Sequence, residues 1–492
     1  MPRWTSRPNH EAHSPPLYYM LLHVWMAVFG NSEVALHALS LVIVLATVPV
    51  AFLLLDRIGG RRAAWAAAGL AAMNPFLTYY AQEARMYALM AFFSLVVAGA
   101  VVLAFAPRAV AKSNNKATDR RYVALLATAL LGALYTHNWA IFIGCGSVVA
   151  VAFLIFRAAP ADRRRVVTDA VVAYIGVGVL YAPWVPTLVF QARETGAPWS
   201  VAPKPSQLID SFYVVLGGTG AAAAVAIALA VAGYRLAQRN GLVGSTNGGS
   251  AAASGTRTDL FKGPERPFDV FVALALVAAF TLLSAWVFSQ ISPAWALRYL
   301  AVLVGPMLAF VALGIARAGR VGLLVLLIVL LFWITPRTGA LESKSNVREV
   351  AQESAPYLKA GDTVFVTHPE QVPVLHYYLP SGLKYVTPLG NVADPTVMDW
   401  RGAMKKLETA PVFSREAQLV NSIAPGSRLM LVQPVIRTAS WGGRWTREVR
   451  LLTKAWGNVI RLDPELHKVV RIPKPSYTRV PRGVRSTIYD KR

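Results

Sequence analysis

Glu83 and Arg85 lie two positions apart in Tyr79-Tyr80-Ala81-Gln82-Glu83-Ala84-Arg85-Met86-Tyr87, a polar stretch between two apolar runs long enough to cross a bilayer. A carboxylate in that setting can act as a general base toward an incoming hydroxyl. A guanidinium suits a phosphate, through paired charge-assisted hydrogen bonds. The plainer reading is a polar turn whose ions pair with each other or with lipid headgroups. Ionisable groups flanked by membrane-spanning segments more often line a polar cavity, which makes the stretch a functional candidate.

Three further groups share its side of the chain. In Asn9-His10-Glu11-Ala12-His13-Ser14-Pro15-Pro16, two histidines three positions apart flank Glu11. That spacing could hold a divalent metal or relay a proton, although many loops with two histidines are simply solvated. Arg298-Tyr299 opens a late apolar run, where an arginine can neutralise a lipid phosphate or serve as a snorkelling anchor. His137-Asn138 and the loop bearing Trp199 could line a substrate cleft, or could be structural. No Walker-type glycine loop, HExxH or GxSxG elbow occurs. Any reaction energy must therefore arrive stored in the substrate.

The elements that position these residues follow from composition. The 492 residues are 55% hydrophobic, with a mean hydropathy of +0.45, which excludes an ordinary soluble enzyme and implies a polytopic membrane protein. Ten candidate spans fall at 34–55, 63–80, 86–105, 121–137, 139–157, 166–189, 212–235, 268–290, 297–316 and 320–336. Residues 17–29, apolar but interrupted and aromatic, suit a helix lying at the interface. The net charge of +24 would suggest nucleic acid in a soluble chain. Here the surplus follows topology, and no nucleic-acid partner is expected. Nineteen Lys and Arg fall in one set of loops, against only Arg85, Arg193, Lys204 and Arg298 in the other. The first set is therefore cytoplasmic, and the Glu83 stretch and everything after residue 336 face outward. Ten crossings with an outward C-terminus require an outward N-terminus, so a further helix is expected upstream of residue 1. Cys145, the single cysteine, lies within an apolar run and permits neither an intramolecular disulfide nor a cysteine metal site.

Three regions result: an outer loop with its interfacial helix (1–33), the bundle (34–336), and an extracytoplasmic α/β domain (337–492). The Gly- and Ser-rich stretch 240–266 is a flexible cytoplasmic linker inside the bundle. In the last region, 346–359 is helical with Asn346 as its cap, and 363–367, 428–433 and 467–472 are strands. Helices near 396–408, 414–423 and 444–456 alternate with those strands, so a mostly parallel sheet is expected, followed from Pro473 by a basic, proline-rich extended tail.

His13-Ser14-Pro15-Pro16-Leu17-Tyr18-Tyr19, the Tyr80–Tyr87 stretch, Arg298-Tyr299 and an outward α/β domain together resemble the GT-C membrane glycosyltransferases. Within that class, the likeness is to bacterial relatives of the protein O-mannosyltransferase and aminoarabinose transferase group. It covers most of residues 9–336, and its specific parts are HxPPLYY and QEARMY. The resemblance implies transfer of a sugar from a polyprenyl-phosphate carrier to an acceptor hydroxyl outside the membrane, usually with inversion. Mannose would be the first sugar expected and arabinose the next, with a glycan, glycolipid or protein as acceptor.

By the same likeness Glu83 matches an acidic position near the active site, and Arg85, Tyr87 and Arg298 fall where the carrier phosphate binds. Glu11 is a second catalytic candidate. His13, Tyr80, Gln82, His137 and Tyr299 complete the expected substrate-binding set, and His10 and His13 keep a divalent metal open. The family's principal base follows its first spanning helix, which this sequence lacks. The competing class is a non-catalytic membrane protein, either a lipid-linked-sugar transporter or a glycan-binding scaffold. The scarcity of polar residues at mid-membrane depth favours the enzyme.

Overall fold

The computed structural model describes residues 15–106, 119–195, 197, 199–240, 267–334, 345–436, 442–472 and 482–492. Two compact units emerge, one of residues 1–188 and 202–336, the other of 189–201 and 337–492.

The first unit is helical. In chain order it contains α1 (Leu17–Phe29), α2 (Glu33–Gly59), α3 (Arg61–Met73), α4 (Pro75–Tyr80), α5 (Tyr87–Phe105), α6 (Arg120–Leu134) and α7 (Ala140–Arg157). It continues with α8 (Pro160–Tyr181), α9 (Val185–Phe190), which runs into the second unit's segment, α10 (Ser206–Val215), α11 (Thr219–Arg239), α12 (Pro267–Ile291), α13 (Ala301–Arg317) and α14 (Arg320–Ile334). Among the described residues, seven helices are long and apolar enough to cross a membrane, while α1 and α14 are apolar but shorter. All ten expected spans meet helices, but the segments 63–80 and 212–235 are not continuous, the second being broken at Leu216-Gly217-Gly218 between α10 and α11. Pro75 cannot donate to the helical ladder, and Asn74 ends α3 and restarts the chain as α4. Its Oδ1 accepts from the Phe76 and Leu77 amides at 3.0 and 3.1 Å, and its Nδ2 donates to the Val215 carbonyl at 2.9 Å.

The middle of this unit is α5, whose residues are buried apart from Phe92 and Phe93. It can be surrounded because it is apolar on every side. The α5 and α13 backbones touch at Gly305, where a Cβ would lie 2.0 Å from the Leu95 nitrogen. The Gly305 amide donates to Ser94 Oγ at 3.1 Å, so a small residue and a hydroxyl lock the crossing. α7 and α12 are joined by Arg157, whose Nε donates to the buried Asp269 Oδ1 at 3.0 Å.

The second unit is a six-stranded sheet of order β3-β2-β1-β4-β6-β5, with β1 at Thr363–Val366, β2 at Lys384–Thr387, β3 at Gly390–Asn391, β4 at Arg428–Ile436, β5 at Leu466–Ile472 and β6 at Arg482–Lys491. Only β2-β1-β4 is parallel, and the remaining pairs are antiparallel, which corrects the expectation of a mostly parallel sheet. The short β2-β3 hairpin and the β6 return cause the difference. Residues 482–491 were expected as part of an extended tail, yet they pair along the whole of β4. Side chains alternate between two cores: Phe365, Leu429 and Leu431 face Trp445, Trp456 and Leu419, while Val364, Val366 and Met430 face Val347, Val350 and Leu375. Covering both faces explains why the strands read as continuous apolar runs. Asn346 does not cap the helix Val347–Ser354. Its amide instead brackets Val484, donating to that carbonyl at 3.0 Å and accepting from that amide at 2.8 Å.

Candidate functional site

The stretch from Ala81 to Met86 is a non-helical turn between α4 and α5. The Glu83 carbonyl fixes its shape by accepting twice, from the Arg85 amide at 2.8 Å and from Ser40 Oγ at 2.6 Å. Behind Ser40, the wholly buried Tyr18 places its hydroxyl 2.9 Å from the same oxygen. Three elements distant in sequence, α1, α2 and the turn, therefore hold the carboxylate-bearing residue in one backbone conformation. Tyr19 lies beside them, its hydroxyl 3.8 Å from Met86 Sδ.

On the inner side of the turn is a cluster of rings. Tyr80 meets Tyr87 edge-on at 5.0 Å, and Tyr87 lies 6.0 Å from His137 and 6.3 Å from Tyr299. His137 and Tyr299 are 4.7 Å apart, and Trp139 closes the far wall at 5.1 Å from Tyr299 and 5.5 Å from Trp295. Aromatic packing at these separations makes a stiff wall with little rotamer freedom. His137 Nδ1 accepts from the Trp139 amide at 3.1 Å, so that nitrogen carries no proton and Nε2 is the donor.

Two guanidinium groups serve this wall. Arg85 lies 5.8 Å over the Tyr87 ring and Arg298 lies 5.3 Å over the Tyr299 ring. Both are within electrostatic range of His137 and of Tyr87. Arg85 also feels Glu83, Tyr19 and Tyr299, and Tyr80 feels both Glu83 and Arg298. Arg298 sits on the 3-10 turn Leu297–Leu300 that opens α13, so its position follows from the start of that helix. The arrangement offers positive charge to an oxyanion, rigid rings to a planar or apolar face, and one carboxylate nearby.

The structure therefore gathers Tyr80, Glu83, Arg85, Tyr87, His137, Arg298 and Tyr299 at one end of the bundle. Gln82 is brought close in sequence only: it is exposed, and its Nε2 donates back to the Thr78 carbonyl at 3.4 Å. Glu11, His10 and His13 lie outside the described residues. Among the described residues, no three of His, Cys, Asp or Glu come together as a metal site would require. Trp199 packs into the core of the second unit, beside Gly443. Sequence reasoning missed Ser40, Trp139 and Trp295 as members of the site. Trp139 and Trp295 adjoin stretches already singled out, whereas nothing local marks Ser40.

No protein-family model matches the chain, and no curated protein matches it in sequence. Among solved structures, the chain is similar to the crystal structure of ArnT from Cupriavidus metallidurans in the apo state. The identity is 13% and the TM-score 0.55, over 97% of this chain and 87% of that one. The same protein bound to undecaprenyl phosphate gives 14% identity and a TM-score of 0.52 over the same shares. The chain shares the fold of that ArnT structure, a helical bundle with a small sheet-bearing unit.

Proposed function

We propose that the chain is an integral membrane glycosyltransferase that moves a sugar from a polyprenyl-phosphate carrier to an acceptor hydroxyl, at the outer face of the membrane. The observation that carries this reading is the pairing of Arg85 and Arg298 over one aromatic wall, with Glu83 in range of the first. Two arginines can take the carrier phosphate as it becomes the leaving group, offsetting the charge that grows on its oxygens. Glu83 serves as general base to the acceptor hydroxyl. His137, a donor through Nε2, and Tyr299 line the space where the sugar sits. A base on one side of the sugar and the phosphate on the other give inversion. The ArnT complex with undecaprenyl phosphate supports a lipid-phosphate ligand for this fold. The resemblance in the motifs makes mannose the first sugar to assay and arabinose the second, on a glycan, glycolipid or protein acceptor.

The test supplies membranes containing the chain with polyprenyl-phosphate donors that carry a labelled mannose or arabinose. Label should move to an acceptor and should depend on the chain. Absence of transfer from every polyprenyl-phosphate sugar, with the protein folded and embedded, would overturn the reading.

A further inference from the structure

At the other end of α13 from Tyr299, roughly 25 Å away along the helix at about 1.5 Å per residue, is a second basic site. An open cavity of about 280 Å³ lies between the ends of α11 and α13, lined by Arg235, Leu236, Gln238, Arg239 and Arg317. Among the described residues, no carboxylate lines it. Arg317 is half-buried, its Nε lies away from solvent with no hydrogen-bond partner, and it feels the like charge of Arg239. Arg235 is held in place: its Nη1 donates to the Ala318 carbonyl at 2.7 Å, in space that Gly319 leaves open at φ +66°. A Cβ at Gly319 would lie 2.6 Å from that nitrogen.

Three guanidinium groups lining one cavity, with no acid beside them among the described residues, repel one another unless an anion sits among them. Arg239 and Arg317 are also the last residues of two membrane-crossing helices, the depth at which lipid headgroups lie. We propose that this pocket binds a phosphate group, the headgroup phosphate of an anionic phospholipid or a free phosphate ion. Its non-bridging oxygens can accept charge-assisted hydrogen bonds from the arginines that line the cavity. The lipid is the better fit, because α11 carries an exposed apolar side at Ala226, Ile227 and Ala230 on which an acyl chain can lie.

Native mass spectrometry of the purified full chain in detergent tests the proposal. Dioleoyl-phosphatidylglycerol, dioleoyl-phosphatidylcholine and inorganic phosphate are titrated separately into wild type, Arg239→Gln and Arg317→Gln. Arg239 is exposed at a helix end, so Arg239→Gln reports even where loss of Arg317 disturbs packing. Retention of phosphatidylglycerol, weakened roughly tenfold in either variant while phosphatidylcholine is unaffected, supports the site with a lipid source; one charge-assisted hydrogen bond is of that size. Phosphate adducts lost in the variants, with lipid retention unchanged, support the site with a soluble source. Wild type and Arg239→Gln retaining all three ligands alike would overturn it.

Discussion

At the scale of single residues, the site rests on the backbone of Glu83. Its carbonyl accepts from Ser40 and from Arg85, and Ser40 is backed by Tyr18. Ser40→Ala should cost about 1 kcal/mol of stability, the usual net worth of such a bond. It should also lower sugar transfer more than that loss of stability explains, because the turn that aims the carboxylate loosens. Thermal melting in detergent beside a transfer assay would separate the two effects. Arg298→Lys keeps the charge but loses the planar fork, so the donor KM should rise about tenfold with little change in kcat. An unchanged KM would remove Arg298 from donor binding. Glu83, Arg85 and Arg298 were legible because charges between apolar runs stand out. Ser40 was not, since one hydroxyl in an apolar helix reads as tolerated, and its partner lies 43 positions away.

At the scale of elements, the bundle depends on close approach. Gly305→Ala would push a Cβ into the backbone of α5 and should destabilise the protein by about 3 kcal/mol, the upper end of the usual cost of an overpacked core. Gly176, with open space around its Cβ position, is the control and should tolerate alanine. In the second unit, burial and the neighbouring Asp463 push the Glu416 carboxyl up to about 7. The folded state therefore keeps a proton that the unfolded chain releases near its ordinary value. The stability this contributes is full below about pH 4.5 and is lost as pH rises toward 7. Glu416→Gln should flatten that decline in a pH series of thermal melts; an equally steep decline would contradict it. Helices were legible because apolar runs near twenty residues have few other solutions. The sheet was legible only in its buried strands. β6, Arg-Gly-Val-Arg-Ser-Thr-Ile-Tyr-Asp-Lys, carries too many polar residues to announce a central position, and its place comes from its pairing with β4.

For the whole molecule, two arginine-bearing clusters lie at the opposite ends of α13, at Arg298 and at Arg317. One end holds two arginines over an aromatic wall with a carboxylate in range. The other holds an arginine basin with no acid lining it among the described residues. The second should change lipid retention, and the first should change chemistry. The most direct measurement is transfer of labelled sugar from a polyprenyl-phosphate donor by wild type and by Glu83→Gln, each reconstituted in liposomes and matched for folding by thermal melting. Glu83→Gln should lose transfer by a hundredfold or more, at the scale of removing a general base, while still binding the donor. Transfer by Glu83→Gln at the wild-type rate would contradict the assignment of this turn as the active site.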